Sequence, residues 1–454
     1  MKLPGTKKNA GGRAKNRASV LIIVLWLSIG LVTIALYFAN SMNYELQAAD
    51  NRVSGIAADQ AIEGAARYVS HQLQNYTTNG MTMRPDSAQF PCENVSIGGA
   101  HFWIIGRDPD SRSATDPHFG LVDEGSKLNL NYANTNVLSY LPNMTLDFAQ
   151  AISDWRSTNG SGSLDYGSAG YTAKNEPFET VDELRLVYGA TLNLLAGDDL
   201  NRNGVLDANE KDTSGSGQVN SGLFDYTTVY TREPNFRYVD GTMTNLTDIN
   251  TASGRKLTAL FEAANVSTTY IRSITNANYL PYKGILSLAV RCRQAGMSDS
   301  DFANIYTNLT TTNSTYIYGR VNVNTAGEDV LTALIEGLNN GDETTAESAA
   351  QTLITYREQN TNNLNSIAWV YDALGTGNAA LATLERGDYL TTQSYQFTAD
   401  IAAVGAFGRG YRRVKFVFDT SDGTPIILYR QDLSRLGWAI GEKARQTLLA
   451  NNTQ

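Results

Sequence analysis

Residues 199–210 read Asp-Leu-Asn-Arg-Asn-Gly-Val-Leu-Asp-Ala-Asn-Glu, and that spacing suits a hard cation. Oxygen-bearing side chains stand at the first, third, fifth, ninth and twelfth places of a twelve-residue loop, with glycine at the sixth. Calcium takes roughly six to eight oxygen ligands. Asp199, Asn201, Asn203, the Val205 carbonyl, Asp207 and a bidentate Glu210 could supply them. A polar Asn/Asp/Gly turn is the plainer alternative. The flanks are poor EF-hand helices, because Ser214-Gly215-Ser216-Gly217 follows closely. A calcium-stapled loop is therefore expected rather than a sensor. Asp123-Glu124 is a lesser candidate for a second cation, or else a solvated turn.

Catalytic chemistry is sparse. His71, His101 and His118 lack zinc-ligand spacing. Neither a Gly-x-Ser-x-Gly elbow nor a phosphate loop is present. Asp154-Trp155 could be taken for an active-site pair, but reads as a buried indole beside a capping or metal-binding acid. Two cysteines, Cys92 and Cys292, make an even pair. In an oxidising compartment they could be bridged, and two separate buried thiols are the alternative.

These residues sit in a chain with a distinctive start. Lys2, Lys7, Lys8, Arg13, Lys15 and Arg17 precede any acid, and residues 18–44 carry no charge. Val20 to Ala39 is long enough to cross a bilayer, which needs ~20 apolar residues. The basic flank predicts a cytoplasmic N-terminus in the inner membrane, with the remainder on the far side. A cleaved signal peptide would have a shorter apolar region of ~7–15 residues and a small-x-small exit. The formal net charge is −9 even with the basic start, so nucleic acid is excluded as an electrostatic partner. With 42% apolar and only 18% charged residues, the rest should fold rather than remain a disordered acidic tail.

The helix should continue past the membrane. Met42, Leu46, Ala49, Val53, Ile56, Ala57, Ala61, Ala65, Val69 and Leu73 recur at helical steps, predicting one helix over ~20–75 whose outer half packs on a head. Ala100–Ile105 reads as a buried strand. Residues 413–418 and 426–429 flank Ser421-Asp422-Gly423, a hairpin signal, and Leu433, Leu436, Ile440 and Ala444 suggest a closing helix. Between these sheet parts, helical spacing recurs at 137–141, 181–187, 256–263, 285–295, 330–338 and 346–357. An α+β fold follows, with the long helix on a small antiparallel sheet interrupted by a large, mostly α-helical insertion. The segments are 1–18 basic leader, 19–43 membrane helix, 44–120 first part of the head, 121–390 insertion, and 391–454 returning strands and C-terminal helix.

A small repeat marks the insertion. Leu128-Asn129-Leu130-Asn131, Asp248-Ile249-Asn250 and Val321-Asn322-Val323-Asn324 are each followed by Leu seven and ten residues after the last Asn. The pattern predicts an extended entry, an Asn or Thr cap and a helix burying leucine.

The start, with Arg17-Ala18-Ser19 leading into Val20-Leu21-Ile22-Ile23-Val24-Leu25-Trp26, resembles a prepilin-like protein. Together with Phe119 to Glu124, Ile152 to Arg156, Lys174 to Phe178 and Val181 to Leu184, the chain resembles the type II secretion minor pseudopilin K family. The resemblance implies a non-enzymatic subunit of the pseudopilus tip. Its partners would be the minor pseudopilins I and J, and its processing enzyme a prepilin peptidase cutting between Ala18 and Ser19. Ala18 stands where Gly is usual. Ile23 stands where most pseudopilins carry Glu, a substitution expected of the K subunit and a marker of the tip position. A calcium-stabilised, membrane-anchored extracytoplasmic adhesin is the alternative from another class.

Overall fold

The computed structural model describes Gly5 and residues 15–76, 90–107, 115–158, 166–239 and 242–451. Most of the basic leader lies outside them. The described chain is α+β, as its patterning predicts.

Helix α1 spans Lys15–Tyr76, 62 residues without a break, or ~93 Å at ~1.5 Å per residue. From Val20 it is long and apolar enough to cross a membrane, and that apolar window is wholly exposed. Its packing differs from the expected continuous stripe. Met42, Leu46, Val53 and Ile56 are exposed. Burial against the head starts at Ser54, and the buried apolar face is Ala58, Ala61, Ile62, Ala65, Ala66, Val69 and Leu73. Four of these seven are alanines, so the helix approaches closely. At Gly64 an added Cβ would lie 2.6 Å from Ile97 Cδ1, and at Gly410 it would lie 2.4 Å from Gly55 N. Arg409–Asp50, Arg412–Asp59 and Arg430–Glu63 tie the helix rim to the head. Being exposed, they contribute at most about 1 kcal/mol each.

The sheet is antiparallel. Strands β1 (Val95–Ile97) and β2 (Ala100–Ile105) lie on one side of a central strand, Gln396–Val404. The strand Arg412–Asp419 and the edge strand Ile426–Asp432 follow on its other side. Val122–Asp123 also pairs with the central strand, at Thr398 and Phe397. The sheet therefore extends to Asp123, and the insertion starts after it rather than at 121. Phe397, Ala399, Ile401 and Ala403 point towards α1 and share its core with Phe102, Ile104, Phe416 and Phe418. Gln396, Thr398 and Asp400 alternate with them on the opposite face, yet are equally buried. They lie under the insertion. Trp103, Ile105, Ala402 and Val404 continue that face beneath Ala439 and Ile440. The closing helix is Gly441–Asn451, so Leu433, Leu436 and Ile440 precede it, with Leu433 capping the 3₁₀ turn Ser434–Leu436.

The insertion is three similar units around one core. Each opens with two extended residues and returns to pair with them in parallel. Leu128–Asn129 pairs Thr227–Thr228, Thr247–Asp248 pairs Leu309–Thr310, and Val321–Asn322 pairs Leu390–Thr391. Leu138, Leu257 and Leu331 are buried as expected. The caps are not the repeat asparagines, however. Asn134 and Ser253 accept the first helical N–H groups, and Gly327 stands at the third N-cap. The repeat residues make internal turns instead. Asn129, Asp248 and Asn322 each accept the N–H two residues on. The second asparagine of each unit then clamps a distant segment. Asn131 both donates to and accepts from the Phe178 backbone, and Asn250 does the same at Tyr282. Asn324 donates to Leu364 O and accepts from Trp369 Nε1. A helix cap needs only the nearest N–H groups. These side chains satisfy buried backbone far away in sequence.

A candidate metal loop seated on the sheet

The 199–210 loop lies within the first insertion unit, between helices Leu192–Ala196 and Leu223–Tyr226. Its backbone is set by Arg202 at φ +57° and Gly204 at φ +85°. Positive φ favours glycine at the sixth loop place. Asp199 is buried and accepts from the N–H groups of Asn203 (2.9 Å) and Gly204 (2.7 Å). Glu210 closes the other end, accepting from Leu200, Asn201 and Asp207 N–H groups at 2.8, 3.1 and 3.0 Å. Asp207 Oδ2 accepts from the side-chain amides of Asn201 (2.5 Å) and Asn203 (2.9 Å). Burial pushes the Asp199 carboxyl up to about 7, with the Arg107 guanidinium opposing and Asp225 reinforcing the rise.

The residues fit calcium on one telling point. Asn201 Nδ2 donates to Trp438 O at 3.0 Å, which fixes the amide orientation. Asn201 Oδ1 is then buried without a hydrogen-bond partner, an acceptor a hard cation would use. Among the described residues, Asp199, Asp207 and Glu210 are not drawn together as a three-acid metal cluster, and no such cluster occurs elsewhere among them. Asp199 and Glu210 hold backbone N–H groups instead, and Asp207 holds side-chain amides. Calcium affinity in this loop would rest on amide and carbonyl oxygens as much as on acids.

The loop's neighbours carry no local sequence signal. Arg413, fully buried, pairs with Asp400 at 2.6 Å and donates to the carbonyls of Asn201 and, at 2.6 Å, Arg202. Arg107 donates to Arg202 O at 2.7 Å and pairs with Asp225 at 3.1 Å. Arg202 packs its guanidinium 3.8 Å over the Phe224 ring. Arg107 follows β2 and Arg413 lies in strand Arg412–Asp419 beside the central strand, so the loop rests on the sheet face away from α1.

Asp123 and Glu124 are neither solvated nor arranged for a cation. Both are 1% exposed. Asp123 accepts from Gly125 N, Asn322, Thr325 and Ser394. Glu124 accepts from Lys127, Thr228 and Thr398. Protein donors occupy the oxygens a metal would need. Asp154 and Trp155 are buried in helix Leu146–Arg156.

The two thiols are not bridged. Cys92 belongs to the core between α1 and the sheet, and Cys292 to the core of the insertion. Burial pushes each up to about 12. Two separate cores leave no route for one sulfur to reach the other. Ala18 and Ser19 lie near the start of α1. Ile23 is exposed on its apolar stretch. No protein-family model, curated protein or solved structure matches this chain.

Proposed function

We propose that this chain is a non-enzymatic minor pseudopilin of the K type, acting at the tip of a type II secretion pseudopilus. The observation that carries the proposal is the single helix that runs unbroken from an exposed apolar segment onto an antiparallel sheet. Such a rod can rest in a bilayer and later pack among other helices without refolding the head. The basic leader would keep the N-terminus cytoplasmic and the head periplasmic. Prepilin peptidase would remove residues 1–18 by cutting between Ala18 and Ser19, and minor pseudopilins I and J would be the neighbours. Ile23 carries no carboxylate to pair with the amine of a subunit above, and an unpaired charge in an apolar bundle is costly. The insertion widens the head and would overhang a subunit stacked on it. Both features favour the topmost place.

Asp199, Asn201, Asn203, Val205, Asp207 and Glu210 would hold calcium, whose charge would staple the loop rather than act on a substrate.

The test is intact-mass analysis of the full chain from cells with an active prepilin peptidase, joined to imaging of labelled heads on assembled pseudopili. Loss of residues 1–18 and labels confined to one filament end are expected. An intact leader would favour the anchored adhesin. Labels along the shaft would overturn the tip placement.

A further inference from the structure

The loop's ion balance is uneven. Arg413 pairs with Asp400 and Arg107 with Asp225, and Arg202 faces Asp182 at 3.6 Å. Asp199, Asp207 and Glu210 make no ion pair among the described residues; N–H groups of the loop itself hold their carboxylates, and the unpartnered acceptor left for a cation is Asn201 Oδ1. The two arginines do not compete for its ligands. They take the carbonyls of Asn201 and Arg202, whereas the loop carbonyl with ligand spacing is that of Val205. They grip the outside of the turn whose inside would bind the metal.

Resting on the calcium reading above, we infer that Arg413 is the positioning residue of this site and that it makes cation binding a fastening between insertion and sheet. Arg413 is 0% exposed and bridges a strand carboxylate and two successive loop carbonyls. Only a planar guanidinium reaches all three. Asn201 adds a second link through Trp438 O, which precedes the C-terminal helix. Closing the loop on a cation therefore fixes the two carbonyls against the central strands, and disorder of the loop would free both.

The groups that hold metal ligands in place commonly govern affinity by roughly 10–100-fold. Calcium calorimetry on the full chain in detergent, paired with hydrogen exchange, tests this. Wild type should bind calcium and slow exchange in strand Arg412–Asp419 as well as in the loop. Arg413→Lys keeps a cation beside Asp400 but cannot span the carbonyls, and should weaken calcium by at least about tenfold while abolishing the strand protection. Arg232→Lys, at a similar ion pair with Asp419 away from the loop, should leave calcium affinity unchanged. If Arg413→Lys misfolds, Asp400→Asn, which loosens the same guanidinium, carries the comparison. Equal affinity in wild type and variants, or protection limited to 199–210, overturns the positioning role and leaves the calcium site standing. No calcium binding by wild type removes the site and this inference together.

Discussion

The carboxylate of Asp123 accepts a 2.9 Å hydrogen bond from the Asn322 side-chain amide, 199 positions further along the chain. The same oxygen accepts from Thr325 at 2.5 Å and from Ser394 at 2.6 Å. One acid thus joins the sheet's last residue before the insertion, the third insertion unit, and the segment leading back to the sheet. Burial raises its pKa against the pull of these donors. Asp123→Ala would leave several buried donors unpaired, each costing about 1–3 kcal/mol. A loss of at least about 3 kcal/mol in denaturant unfolding is expected, and under 1 kcal/mol would contradict the network's role.

Glu124 has the opposite character. Burial opposes its charge, but Lys127 and Lys415 outweigh it and hold the carboxyl down to about 2 from 4.5. A depressed pKa gives stability that is present above the unfolded value and lost as pH falls through the folded one. The wild-type advantage over Glu124→Gln should be full above about pH 5 and shrink between 4.5 and 2. Breaking a buried pair costs roughly 3–5 kcal/mol. Urea midpoints across that range measure it, and a pH-independent difference would refute the assignment.

Calcium should stabilise the full chain through the 199–210 loop. Ligand linkage gives about 2.7 kcal/mol at one hundred times the dissociation constant. Melting with calcium should exceed melting with chelator. The difference should vanish in the double variant Asp199→Ala, Glu210→Ala; a shift that survives it would place the ion elsewhere.

Gly410 combines φ +71° with backbone 2.4 Å from an added Cβ, whereas Gly437 has φ +93° and open space. Both alanine variants incur left-handed strain of about 1–2 kcal/mol. Only Gly410→Ala must also lift α1 from the head. Faster hydrogen exchange over 54–73 is expected in Gly410→Ala and not in Gly437→Ala.

Cys92 and Cys292 should both be unreactive in the folded chain and both react on denaturation without reductant. One or no thiol released would indicate a bridge.

Much of the architecture was legible because it is written in short-range patterns. The apolar start, the 421–423 hairpin and the insertion helices are all local. The central strand was harder. Phe397 beside polar neighbours looks half-solvated, but Gln396, Thr398 and Asp400 are covered by a domain that folds back from far away in sequence. The Asn/Asp-x-Asn repeat was visible and its purpose was not, since Phe178, Tyr282 and Leu364 lie tens of residues away. The loop ligands could be read from spacing. Arg107, Arg413 and Trp438, which hold the loop in place, could not, because nothing near them resembles a metal motif.

Between Asn40 and the first packed residue, Ser54, α1 is exposed apart from a partly covered Ser41 and lacks proline. A helix without a hinge behaves as a screw. Each residue advances it ~1.5 Å and turns it ~100°. Deleting one residue from this stalk would draw the head only slightly towards the apolar segment but swing it by more than a quarter turn. Removing seven would shorten the stalk by ~10 Å and restore the azimuth to within ~20°. The stalk therefore sets which side of the head faces a neighbour far more sharply than it sets height.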